Sequence, residues 1–159
     1  MFTFEKIDSV LQLNFPAFDY QLKNSENKTS IFDVIRKKYV VLQPEEWVRQ
    51  HCVHFLISEK KYPKSLMNVE KHIKINNLIK RYDIVVFNSN GEIFLVVECK
   101  APNIKITQDT FDQIARYNLA LNAQFLMVTN GLQHFYCQMD FSKKRYSFLK
   151  DIPNYKFSN

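Results

Sequence analysis

"RYDIVVFNSNGEIFLVVECK", residues 81–100, decides how this chain folds. Two runs of β-branched and aromatic residues, Ile84 to Phe87 and Ile93 to Val97, flank a polar stretch ending in Asn90-Gly91, a pair that supplies the positive φ of a tight turn. The pattern predicts an antiparallel hairpin with strands over 82–88 and 93–100. The first strand begins with Asp83, and the second ends with Glu98 and Lys100. Residues far from a turn on one arm meet residues far from it on the other, while i and i+2 share a face, so the three charges converge at the open end. Two carboxylates suit Mg²⁺, a hard cation that takes oxygen ligands and keeps several waters. A lysine beside them can orient or deprotonate water, or stabilise charge developing on a phosphate.

Outward from the hairpin, Pro44 opens "PEEWVRQHCVHFLISEK", with Trp47, Val48, Cys52, Phe55 and Leu56 at helical spacing and two acids in the first turn. "MNVEKHIKI" (67–75) reads as a strand before the hairpin. Residues 107–121 carry Phe111, Ile114, Ala115 and Leu119 on one helical stripe, with Thr107 as N-cap. "QFLMVT", "HFYCQM" and "RYSFL" return to strands, two or three of them. Within residues 1–43, "FDYQLK" and "IRKKYVVL" around the polar "NSENK" predict a β-hairpin or extended arm, packed on a single domain over 44–159.

The whole-chain numbers fit one domain: 159 residues, 46% hydrophobic and 24% charged. Only two glycines, Gly91 and Gly131, are present, so no glycine-rich phosphate loop exists and no ATP site is expected. A net charge of +6 fits a polyanionic partner. Three widely spaced cysteines, Cys52, Cys99 and Cys137, indicate buried thiols in a reducing compartment, and no stretch approaches the ~20 apolar residues of a membrane span, so a cytoplasmic protein without membrane contact is expected.

The pattern Asp83-x14-Glu98-x-Lys100 on a hairpin resembles the PD-(D/E)xK nuclease superfamily, with Tyr82 where that signature has proline. "PEEWVRQ", "RYDIVVF", "LVVECKAP", "QIARYN" and "VTNG" together resemble more closely the N-terminal nuclease domain of type I restriction enzyme R (HsdR) subunits, and Gln113-x3-Tyr117 matches a QxxxY motif of such nucleases. The resemblance spans about residues 44–135. It implies an α/β (α+β), restriction-endonuclease-like fold: a central mixed β-sheet flanked by helices. It further implies Mg²⁺ or Mn²⁺ held by Asp83, Glu98 and the backbone carbonyl of Cys99, with Glu45 or Glu46 from the first helix completing the set and Glu45 preferred. Lys100 would be the catalytic lysine, and Gln113 and Tyr117 would position DNA or the metal ligands. DNA is the implied partner, together with other protein subunits. Read from the residues themselves, Lys71, Lys74, Lys80 and Arg81 of "KHIKINNLIKR", with Arg116, form a basic face for its phosphates or, equally, an ordinary solvated surface.

Each residue also has a plainer reading. Glu98 and Lys100 make a salt-bridged strand end, and Glu45 and Glu46 suit a helix dipole. Gln113 and Tyr117 suit a solvated amide and a half-buried ring. His51 and His54 lack a third ligand at metal spacing and read as packing or surface residues. Two functions remain open: a metal-dependent DNA endonuclease-like domain that hydrolyses phosphodiesters, and a non-catalytic DNA-binding or assembly module of a restriction, defence or DNA-processing complex.

Overall fold

The computed structural model describes residues 12–156. In chain order it has strands β1 (Leu22–Ser25), β2 (Lys28–Asp33) and β3 (Lys38–Val41), helix α1 (Pro44–Ser58), strands β4 (Met67–Ile75), β5 (Leu78–Phe87) and β6 (Ile93–Cys99), helix α2 (Gln108–Leu119), and strands β7 (Phe125–Thr129), β8 (His134–Asp140) and β9 (Arg145–Leu149). β4 to β9 form one six-stranded mixed sheet in sequence order. Only β6 and β7 run parallel, because α2 carries the chain back between them; every other neighbour pair is antiparallel.

Strand alternation sorts the side chains into two cores. Leu95, Val97 and Cys99 of β6 face α1, and with Trp47, Val48, Cys52 and Leu56 they form one. Val96 of β6 faces the other way, where Val128 and Cys137 meet Phe111, Ile114 and Ala115 of α2. Burying a residue such as Phe111 contributes roughly 1.5–3 kcal/mol, so two such layers hold the helices on the two faces of the sheet. Pro44 at the start of α1 needs no amide donor there, and Thr107 caps α2 by accepting from the Thr110 amide at 3.2 Å.

The N-terminal region departs from the expected hairpin or arm. Residues 22–41 form a three-stranded antiparallel sheet in which β2 lies between β1 and β3. β2 is mostly polar, and only Ile31 and Asp33 are buried, so its short alternation was hidden behind the turn signal. Ile31 packs into the α1 core, and residues 1–11 of the expected arm lie outside the described part. The last region yields three strands. His51 Nδ1 donates to the Trp47 carbonyl, 2.9 Å away, and His54 stacks on Phe18 at 4.2 Å, so both histidines are packing residues. All three cysteines are free and buried. Among the described residues no helix is long and apolar enough to cross a membrane.

Candidate active site

The site forms where β5 and β6 part. Their ladder ends at Ile84 opposite Val97, and beyond it Asp83 Oδ2 accepts the Cys99 amide at 2.8 Å, a side chain taking the place of a strand hydrogen bond. Alternation also breaks there: Ile84 and Val86 face α1, yet Tyr82, of the same parity, faces α2. At this irregularity Asp83 and Glu98 lie near enough for one carboxylate to act on the other.

Glu98 is 7% exposed. Burial first, and then the neighbouring Asp83, push its pKa up to about 7, while Lys80 and Lys100 pull the other way. Lys80 Nζ stands 3.3 Å from Glu98 Oε1 as a long ion pair, and this buried oxygen has no close hydrogen-bond partner. Lys80 also lies 4.9 Å above the Tyr82 ring and 4.8 Å above the Tyr117 ring. Lys100 follows β6, half-buried, with its amide donating to Thr129 at 2.8 Å.

The two helix glutamates separate. Glu46 is buried in a bidentate pair with Arg49, both contacts at 2.8 Å, and accepts from Arg36 at 2.7 Å. Burial favours its neutral form, but the two guanidinium groups outweigh that and hold its pKa below the usual value. Glu45 is exposed on the same first turn and faces Asp83; desolvation of its carboxyl and then Asp83 raise its pKa. The glutamate that can join Asp83 is therefore Glu45, and Glu46 is committed to arginines. Arg49 also donates to Asp83 Oδ1 at 2.9 Å, and Arg36 ties Asp33 of β2 and Glu70 of β4 to the same cluster at 2.7 and 3.0 Å. The role of Arg49 was not read from the sequence, although Glu46 and Arg49 stand at the i, i+3 spacing of a helical ion pair.

On α2, Gln113 and Arg116 are exposed and Tyr117 is 52% exposed. Tyr117 and Arg116 line an open groove of about 310 Å³ with Ile75, Leu78, Lys80 and Tyr82. Of the basic residues expected on one DNA-binding face, Lys80 reaches Glu98 instead, and Arg81 pairs with Glu70 at 3.6 Å. The register divides the rest: Lys71 is opposite Tyr82, on the α2 side, while Lys74 is opposite Ile79, on the other. They do not form a single face.

Among the described residues, no group of three or more His, Cys, Asp or Glu side chains is arranged to hold a metal ion. The donor chemistry still fits a hard cation: two carboxylates held close, one with an oxygen buried without a hydrogen bond. A mixed sheet with a helix on each face and a carboxylate pair where two of its inner strands part is a restriction-endonuclease-like arrangement. Residues 44–153 match the family described as type I restriction enzyme R protein N terminus, and the chain belongs to that family. No curated protein matches the chain.

Proposed function

We propose that the domain is a divalent-metal-dependent deoxyribonuclease, with Asp83, Glu98 and Glu45 and the Cys99 carbonyl holding Mg²⁺ or Mn²⁺. The observation that carries this reading is the buried Glu98 beside Asp83, its pKa raised to about 7. Two carboxylates held together at such a cost gain most from a cation between them. When bound, the metal would act as a Lewis acid on a phosphodiester oxygen and lower the pKa of water. The chain's own groups would do the remaining work. Lys100 orients the attacking water or offsets charge on the phosphate, and Arg49 and the Cys99 amide hold the Asp83 carboxylate in one orientation. Gln113 and Tyr117 position the strand from α2, and Lys80 balances Glu98.

A second reading rests on Asp83, both of whose oxygens are already engaged, by Arg49 and by the Cys99 amide. A domain that used Arg49 permanently as the counter-charge would bind DNA or partner subunits without cutting. Cleavage of supercoiled plasmid and single-stranded DNA with Mg²⁺, Mn²⁺ or EDTA decides between the two. Metal-dependent cutting lost in Asp83→Ala and in Lys100→Ala, both still folded, is the expected result; an undiminished rate in Lys100→Ala sinks the assignment of that lysine. No cutting and no metal binding under any condition would leave the binding module.

A further inference from the structure

β5 outruns its neighbour. The ladder with β6 stops at Ile84, whereas the ladder with β4 continues from Lys71 opposite Tyr82 to Ile75 opposite Leu78. Among the described residues, 71–82 are therefore a two-stranded ribbon with no third strand beside them; on one face Ile73 and Ile75 rest against the α2 core, and a groove separates its tip from Arg116 and Tyr117. Five residue pairs at about 3.3 Å each give it a length of roughly 17 Å. It closes on Asn76-Asn77, both at positive φ (49° and 68°), the two-residue turn whose twist suits a hairpin. The ribbon is rooted in the site: Asp83 follows it directly, and Lys80 reaches back to Glu98.

Its composition is one-sided. From Lys71 to Tyr82 the sequence is "KHIKINNLIKRY", with four cations and no carboxylate. At its tip Leu78 and Ile79 are 67% and 68% exposed, more than the other large apolar side chains among the described residues. A ribbon meant only to cover the sheet would turn those side chains inward and mix its charges. Here Lys71, Lys74 and Arg81 are exposed, and the register places Lys71 on one face and Lys74 and Arg81 on the other.

We propose that this ribbon enters the major groove of double-stranded B-form DNA, with Lys71 on the phosphates of one groove wall, Lys74 and Arg81 on those of the other, and Leu78 and Ile79 against base edges. The proposal rests on the DNA substrate of the preceding reading and names the form that the site accepts. Cations divided between two faces are a poor patch for a flat surface, but they suit an element with a phosphate wall on each side. The major groove, about 12 Å wide, admits a two-stranded ribbon; the minor groove, about 6 Å wide, does not. Thymine methyl groups offer the apolar tip a contact there. The major groove of A-form RNA is deep and too narrow to enter, so the ribbon selects DNA over RNA.

The test is fluorescence anisotropy with the full chain in EDTA, which separates binding from any cleavage. The probes are a labelled DNA duplex, an RNA duplex of the same sequence, and the DNA duplex with glucosylated hydroxymethylcytosine filling its major groove. The expected result is binding of plain DNA at least about tenfold tighter than of either other duplex, the factor that 1.4 kcal/mol corresponds to. The double variant Leu78→Ser, Ile79→Ser removes only exposed side chains, and its melting temperature should match the parent's. It should lose about tenfold on plain DNA and nothing on RNA. Lys74→Ala should reduce the slope of log Kd against log salt by about 1.

Equal affinity for the three duplexes, or a double variant that binds plain DNA as the parent does, overturns the proposal. DNA would then bind elsewhere, or the tip would serve a protein partner. A ribbon that behaves as expected in a chain that never cuts DNA would overturn the nuclease reading alone. Cutting that survives the double variant unchanged, with equal duplex affinities, would overturn the ribbon alone.

Discussion

Replacing Glu98 by glutamine should stabilise the metal-free protein at neutral and alkaline pH and do nothing in acid. Glu98 is buried, faces Asp83, and titrates at about 7 instead of its ordinary 4.5, the two lysines Lys80 and Lys100 notwithstanding. Between those values the folded chain keeps a proton that the unfolded chain has released. Stability from this group is therefore fully present below pH 4.5 and is lost as pH rises through 7. At about 1.4 kcal/mol per pH unit, the folded state above pH 7 carries a penalty on the order of 3 kcal/mol. The amide carries no charge to desolvate and keeps the shape, so the penalty disappears. For a chain of this size that is about 6–12 °C in melting temperature. Urea or thermal unfolding of both proteins in EDTA from pH 4.5 to 8.5 measures the difference directly. The gap should be near zero at the acid end, open between pH 5 and 7, and level off above. A gap of the same size at every pH, or none at pH 8, would show that Glu98 is not a strained carboxylate, and the main support for a cation at this site would go with it.

The same logic predicts that Mn²⁺ at about a hundred times its Kd raises unfolding stability by roughly 2.7 kcal/mol at pH 8, and that Asp83→Ala abolishes the response; calorimetric melting with and without metal checks it. Arg36→Ala should cost about 3 kcal/mol by leaving Asp33 and Glu46 short of a partner, measured by urea unfolding at pH 7. Since Arg36 and Arg49 hold Glu46 below its ordinary pKa, that stability exists above the ordinary value and is lost as pH falls through the lowered one, so the variant and the parent should converge in acid. Gly131→Ala should destabilise by about 2 kcal/mol: the residue sits at φ 87°, and an added Cβ would lie 2.7 Å from a Leu13 methyl and 3.1 Å from Val48. Equal thermal stability of this variant would mean that the Leu13 segment moves aside freely.

Much of this molecule was legible locally. The hairpin, both helices with their Pro44 and Thr107 starts, and the closing strands depend on periodicity and on turn and cap chemistry, which act within a few residues. The convergence of Asp83, Glu98 and Lys100 needed only one further step, the pairing of two strands across a recognisable turn. β2 escaped because its burial depends on α1 beneath it, and a short strand with a polar outer face has little signal of its own.

What tertiary structure alone decided are the choices between chemically equal neighbours. Glu45 and Glu46 share a residue type, a helical turn and a dipole; only the approach of Arg36 from the N-terminal sheet turns one into a buried ion pair and leaves the other facing Asp83. Lys71, Lys74, Lys80 and Arg81 read as one basic run, yet the break in alternation at Asp83 turns Lys80 to the α2 side and to Glu98, while Arg81 pairs with Glu70. The sequence by itself determined that a carboxylate pair and a lysine would meet at the end of a hairpin, because strand pairing is a short-range rule. Which charges surround that pair depends on elements distant in sequence. Burial and the ion partners that long-range packing supplies set the energy of a charge, and no local pattern encodes them.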